Sequence, residues 1–346
     1  MPLKEIIQES IAAAGPIPFE EFMDLALYHP DGGYFAIGRL RSERAGDFLT
    51  SPEVSELFGE MLGRFVERER SRIGEPFEVV EVGAGSGSLL RPLLRTIDVA
   101  ARAVEVSPAA RGALATFLAE GHVLDTLPDR VRGVVIANEL IDNLPMALAQ
   151  RMGGVWRERW VGRDGDGLGF VDADTRPDVS DWLESNAGDV PDGGWVEVQL
   201  AAQAWLLDVL DRLDGGSVLI FDYGDLAENL VPRRQDGTLR TYRAHHLGPH
   251  PLDQPGETDI TADVNFTALM AAGAMAGAHV ELQRQDDFLA DLGLRDRLSE
   301  LRHAELEAAR SGDDMERLRI RSIKTEAETL LNPRGLGDFR VLVVRK

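Results

Sequence analysis

Residues 77–90 read FEVVEVGAGSGSLL. Apart from Glu78 and Glu81, the stretch Phe77 to Val82 is apolar and β-branched, the pattern of a strand buried on both faces. It runs straight into Gly83, Gly85 and Gly87, and Ser88-Leu89-Leu90 then opens a helix. Glycines at such a turn let the backbone bend tightly and approach a ligand closely. A dinucleotide loop is spaced G-x-G-x-x-G. Here Ser88 stands where that pattern needs its third glycine, which comes one residue early at Gly87, and the acidic Glu81 stands two residues before the first. Glu105 follows Gly85 by twenty residues, at the end of the next apolar stretch. An acid in that place accepts hydrogen bonds from ribose hydroxyls. Loop and acid together point to a ribose-bearing ligand.

Outward from this stretch, short strands alternate with helices. SLLRPLLRTI is a helix, with Pro92 confined to its first turn. AVEV (Ala103 to Val106) is a second strand, Ser107-Pro108 starts a helix, HVL beside His122 is a third strand, and GVVIANEL (Gly133 to Leu140) is a fourth. A helix from about Gln199 to Leu213 should stop at the C-cap pair Gly215-Gly216, before a fifth strand, SVLIFDYG (Ser217 to Gly224). FRVLVVRK closes the chain as a further strand. This order predicts an α/β, Rossmann-like parallel sheet covered on both faces. Residues 1–75 read as a helical N-terminal region, with Phe19, Phe22, Leu25 and Ala26 on one face and Val54, Leu57, Phe58, Met61, Leu62 and Phe65 on another. Residues 76–346 form the main domain. Insertions are expected after strands 4 and 5, at about 145–195, which alternates like an antiparallel excursion, and at about 225–331, first loop-rich and then helical and charged.

The chain has 346 residues with 37 Lys+Arg against 59 Asp+Glu, a net charge of −22. That field repels nucleic acid and anionic membranes and attracts a cationic partner. The absence of cysteine excludes a disulfide scaffold, a cysteine-ligated metal and a thiol nucleophile. No apolar run reaches the roughly 18–20 residues of a membrane helix. The start, MPLKEIIQES, has neither the apolar stretch of a signal peptide nor the Arg-rich bias of a transit peptide, so the expected location is cytoplasmic.

The form Glu81-x-Gly83-x-Gly85-x-Gly87 resembles motif I of class I S-adenosyl-L-methionine (SAM) methyltransferases. Further segments extend the likeness over nearly the whole chain: GDFLTSPEVSELFGEMLG (46–63), ANELIDNLPM (137–146), FDYG (221–224), GTLRTYRAHH (237–246), PLDQPGETDITADVNF (251–266) and LGDFRVLVV (336–344). With these the sequence resembles the MidA-like family of SAM-dependent methyltransferases. Its mitochondrial members are assembly factors of a respiratory complex and protein arginine methyltransferases. The resemblance implies a class I methyltransferase sheet, SAM as cofactor, arginine methylation of a protein and a respiratory complex subunit as a candidate client. It also implies that the loop with Gly46-Asp47, Thr50, Ser51, Pro52 and Glu53 closes over the cofactor. Three positions depart from the family pattern: Asp263 and Asn265 stand where a His and an Asp are expected, and Pro92 is unusual in the first helix.

Cofactor contacts are expected from Thr50, Pro52, Glu81, Gly83, Gly85, Gly87, Glu105 and Asn138. Asn138, Glu139 and Asp142 end the fourth strand, and ligands of open α/β sheets bind beyond the carboxyl ends of strands. Glu139 and Asp142 are the candidate catalytic pair, three residues apart and able to share a helical turn. A carboxylate can hold a planar guanidinium through paired hydrogen bonds and offset its charge. Helix capping is the competing role for Asp142. Arg240, Tyr242, Asp259 and Thr261 are candidate substrate contacts. No metal is expected: His245, His246 and His250 lack ligand spacing. Asp222 either lines the cleft or caps a turn. The residues alone reach a SAM enzyme with an acidic cleft, and arginine enters through the resemblance. The rival readings are an assembly factor in which SAM binding is vestigial, a nicotinamide enzyme, and methylation of a small molecule.

Overall fold

The computed structural model describes residues 2–36, 50–243 and 246–346. Helices α1 (Leu3–Ala14) and α2 (Phe19–Tyr28) open the chain, and α3 (Glu56–Ile73) follows. Seven strands then build the central sheet: β1 (Glu78–Val82), β2 (Ala100–Val104), β3 (Val123–Leu124), β4 (Val131–Asn138), β5 (Leu213–Asp222), β6 (His279–Arg284) and β7 (Arg340–Arg345). Their order across the sheet is β6-β7-β5-β4-β1-β2-β3. β1 to β5 are parallel, whereas β7 is antiparallel to both β5 and β6. The crossovers include α4 (Leu90–Thr96), α5 (Leu200–Arg212) and α6 (Phe266–Met275), with a charged helical pair α7 (Leu294–Ser311) and α8 (Asp314–Leu330) before β7.

Successive strand residues point to opposite faces, so both faces must be covered where a run is continuously apolar. Val79, Val134, Ile136, Leu219 and Phe221 face α3, α4 and the α7–α8 pair. Val80, Val135, Ala137, Val218 and Ile220 face α5 and α6. Pro92 falls in the first turn of α4, where no helical hydrogen bond is lost.

The stretch after β4 forms an antiparallel sheet of Ala147–Met152, Val155–Asp164, Gly167–Asp174 and Trp195–Val198. α1 and α2 pack with this sheet in a core that includes Ile7, Phe19, Phe22, Leu148 and Val161. α3 instead packs on the central sheet. The loop-rich stretch after β5 contains a small sheet of Arg240–Arg243, His246–Leu247 and Asp259–Thr261.

One turn differs from the sequence expectation. Gly215 and Gly216 do not cap α5, which ends at Arg212, but lie inside β5. The reason is a close approach of backbones. A Cβ on Gly216 would lie 1.8 Å from the Gly133 carbonyl oxygen, and one on Gly133 would lie 1.9 Å from that of Glu78. Their φ values, 143° and 147°, are open to glycine alone.

Candidate active site

At the carboxyl end of β1, Gly83, Gly85 and Gly87 all have positive φ, at 70°, 54° and 84°. The space around them differs. A Cβ at Gly85 would meet nothing within 4 Å, whereas one at Gly87 would lie 2.5 Å from the Phe117 ring and one at Gly83 would lie 3.1 Å from Leu140. Gly85 thus leaves room above the loop, and the other two let it sit tightly on the protein. The Gly85 N–H donates to Glu105 Oε2 at 2.8 Å, and the Ser107 N–H donates to Oε1 at 2.8 Å. Glu105 therefore ties the loops after β1 and β2 together, and each of its oxygens keeps a second lone pair for a hydroxyl donor.

Glu81 is buried in β1, and its Oε2 has no hydrogen-bond partner among the described residues. Burial, and then the charge of Glu105, push its carboxyl well above the ordinary carboxylate range. Asn138 Oδ1 is likewise buried without a partner among the described residues. It lies one residue beyond Ala137, which pairs with Val82, so both orphaned acceptors sit at the ends of adjacent strands. Buried acceptors without donors call for an occupant. A ligand with an ammonium group supplies the missing donors, and the aminoacid end of SAM fits.

Thr50 precedes a short helix, Ser51–Val54, and its N–H donates to Glu53 Oε2 at 3.1 Å. Thr50 lines a cavity beside the carboxyl ends of the central strands, while Pro52 is buried in the first turn of that helix and is absent from the lining. Gly46, Asp47 and His245, singled out in the sequence, lie outside the described residues.

The cavity, about 230 Å³, lies beyond the ends of β4 and β5. Glu139, Asp142, Asp259, Thr261, Arg240 and Tyr242 all line it, together with Thr50. Glu139 is the one non-glycine residue with positive φ among those described, at 49°. Such a conformation costs about 1–2 kcal/mol. It is held by the Glu139 N–H donating to the Phe221 carbonyl at 2.8 Å. Because of this kink, Glu139 and Asp142 do not share a helical turn: the turn covers only Ile141–Asn143. Nor does Asp142 cap it. That task falls to Asp222, fully buried, whose Oδ2 accepts the N–H groups of Ile141 at 3.0 Å and Asp142 at 3.2 Å. Burial, with the charges of Asp142 and Glu139, raises the Asp222 carboxyl well above its ordinary range.

Asp142 Oδ2 receives the Tyr223 hydroxyl and, at 2.6 Å, that of Thr261. Burial and then the charges of Asp142 and Asp222 hold the Tyr223 phenol well above its ordinary range, so it stays a proton donor. Asn143 Nδ2 donates to Asp259 Oδ1 at 2.8 Å. The small sheet explains how distant residues reach the cavity. Arg240 pairs with Thr261 and Tyr242 with Asp259, and directly opposed residues share a face.

The departure at Asp263 has a structural role. This buried carboxylate takes Arg233 Nη1 at 2.5 Å and Arg240 Nη1 at 3.2 Å. Asn265 caps α6 through the Ala268 N–H. Tyr223, Asn143, Arg233 and Asp263 also line the cavity, although no site role was expected for them. Only the FDYG segment offered a signal for Tyr223.

The comparisons with known proteins give the family to which the chain belongs. A family model described as S-adenosyl-L-methionine-dependent methyltransferase matches residues 61–283. Protein arginine methyltransferase NDUFAF7, mitochondrial, of Xenopus tropicalis is 31% identical, over 84% of this chain and 75% of that protein. The Homo sapiens protein of the same name is 29% identical, over 87% and 75% respectively. A crystal structure from Burkholderia thailandensis bound to S-adenosyl-homocysteine is 30% identical, with a TM-score of 0.87, over 99% of this chain and 92% of that one. These relatives overturn the expected cytoplasmic location, because the curated ones are mitochondrial proteins. Targeting signals are addresses read by receptors, so composition is a poor guide to them.

Proposed function

We propose that this chain, which belongs to the family of S-adenosyl-L-methionine-dependent methyltransferases, methylates arginine in a protein substrate. The observation that carries the substrate is the convergence of Glu139, Asp142 and Asp259 on one cavity beyond the ends of β4 and β5. A guanidinium remains protonated in water, is planar, and matches a carboxylate through paired hydrogen bonds. The names of the curated relatives support the same substrate.

When bound, SAM supplies the methyl group. The chain supplies position and charge. In this reading Glu139 and Asp142 hold the guanidinium and turn one of its nitrogens toward the methyl group. The Tyr223 and Thr261 hydroxyls fix the Asp142 carboxylate. Arg240, Tyr242, Asp259 and Thr261 form the substrate wall. Glu81 and Asn138 take the aminoacid end of SAM, Glu105 takes the ribose, and Gly83, Gly85 and Gly87 shape the floor. Residues 1–75 contribute the cofactor lid, with Thr50 and Pro52 as its cofactor contacts, and 76–346 is the methyltransferase domain. A respiratory complex subunit is the first client to test.

The test is mass spectrometry of methylarginine in arginine peptides and in candidate subunits after incubation with SAM. Transfer that falls in Asp142→Asn and Glu139→Gln supports the proposal. Tight S-adenosyl-homocysteine binding with no transfer to any protein would favour an assembly factor that only binds the cofactor.

A further inference from the structure

A cavity that receives a guanidinium should not display guanidinium groups of its own, since like charges repel. Yet Arg233 and Arg240 both line it, with side chains 47% and 39% exposed. Both are held by a single carboxylate, Asp263, which is only 3% exposed. Two guanidiniums share this one carboxylate, which makes this wall locally basic in a cavity whose other charged lining residues, Glu139, Asp142, Asp259 and Asp338, are acidic. Each arginine also has five N–H donors, of which the bond to Asp263 uses one.

The arginine wall is built rigidly. Next to Arg233, the side chain of Arg234 is almost fully buried and pairs with the equally buried Glu197 at 2.7 Å. The other oxygen of Glu197 accepts the N–H groups of Thr238 at 2.6 Å and Leu239 at 3.1 Å. Residues 234–239 are therefore tied to the strand Trp195–Val198, and the buried Asp263 carboxylate holds the flanking Arg233 and Arg240 side chains at the cavity wall. Arg240 also lies opposite Thr261, whose hydroxyl bonds the Asp142 carboxylate, so positive and negative walls adjoin.

We infer that the substrate carries an acidic residue close to the methylated arginine, and that Arg233 and Arg240 bind its carboxylate while the acidic wall binds the guanidinium. This inference rests on the arginine reading of the same cavity. The substrate class is thus a peptide segment with adjoining opposite charges, and a neutral or basic neighbour leaves the spare donors of Arg233 and Arg240 to water.

The experiment uses the full chain, SAM and a set of peptides with one central arginine. A single glutamate is placed in turn at each position from three before to three after it, and glutamine replaces it in matched controls. The expected result is one favoured position where glutamate raises kcat/KM about tenfold or more over glutamine, as a charge-assisted pair does. In Arg233→Gln and Arg240→Gln that ratio should fall towards unity, while Arg233→Lys should keep part of it. Calorimetric S-adenosyl-homocysteine binding checks that each variant is folded. Methylation of glutamate and glutamine peptides at equal rates at every position overturns the inference and leaves the arginine reading intact. An absence of methylarginine from every peptide overturns both.

Discussion

The two ends of the cleft are built in different ways. The proposed cofactor end lies within one stretch of chain from Glu81 to Glu105, joined by Asn138 from the neighbouring strand. Its shape comes from backbone: three glycines at positive φ and two N–H groups on one carboxylate. The proposed substrate end draws on residues within 50, 139–143, 223–242, 259–263 and 335–339. There the shape comes from carboxylates, hydroxyls and guanidiniums that bond one another. A local, backbone-built end holds an invariant ligand, while a dispersed end can change its specificity one side chain at a time. If that division is right, variants of one end should leave the other nearly untouched.

The largest expected effect is Asp142→Asn. It removes the charge on which the Tyr223 and Thr261 hydroxyls converge, and kcat should fall by about 10²–10³, the loss typical of an electrostatic group at the reacting centre. S-adenosyl-homocysteine affinity, measured by calorimetry, should change less than about threefold, within the usual independence of separate sites. Equal losses in both would collapse the division. Next comes Glu105→Ala, in the opposite sense. Calorimetric S-adenosyl-homocysteine binding should weaken by about tenfold to a hundredfold, because hydrogen bonds to a charged group contribute about 1.5–3 kcal/mol. Unchanged affinity would remove Glu105 from the ribose site.

Legibility in the sequence follows the same divide. Gly83, Gly85, Gly87 and Glu105 could be picked out because strand, turn and acid have fixed spacing along the chain. The strands were readable because alternate residues such as Val79 and Val80 serve opposite, equally apolar faces. Gly215-Gly216 misled because its reason is the backbone of Gly133 on the adjacent strand, which is distant in sequence. Tyr223 and Arg233 escaped for the same cause: their partners, Asp142 and Asp263, lie 81 and 30 residues away. The part played by Asp222 was open because a buried carboxylate that caps a neighbouring strand's turn looks, in sequence, like one that lines a cleft.

A smaller effect separates two glycines of one loop. Gly87→Ala would place a Cβ 2.5 Å from Phe117 at a φ of 84°, and the backbone penalty and the clash together should destabilise the fold by about 2–5 kcal/mol. Gly85→Ala has open space above it and carries only the backbone penalty, about 1–2 kcal/mol. Thermal unfolding of the two variants should rank Gly87→Ala below Gly85→Ala. The reverse order would mean that the room above Gly85 is closed.

The mildest prediction concerns acidity. In the free protein Glu81 is held above its ordinary value of 4.5 by burial and by the charge of Glu105. A raised carboxyl favours the fold in its protonated form. Its contribution is fully present below the unfolded value and is lost as pH rises through the folded one. A cationic aminoacid end asks for the opposite, the ionised form. Calorimetric S-adenosyl-homocysteine affinity should therefore be flat above the raised value and weaken on acidification below it, by up to about tenfold per pH unit for one coupled proton. Glu81→Gln should bind more weakly at neutral pH and lose that dependence. Asp222 is raised as well, so it shares the stability trend, but it caps the Ile141–Asn143 turn at the other end of the cleft. Asp222→Asn should alter the stability profile and leave the pH dependence of cofactor binding in place. A binding profile that follows Asp222 instead of Glu81 would show that the two ends share one electrostatic unit.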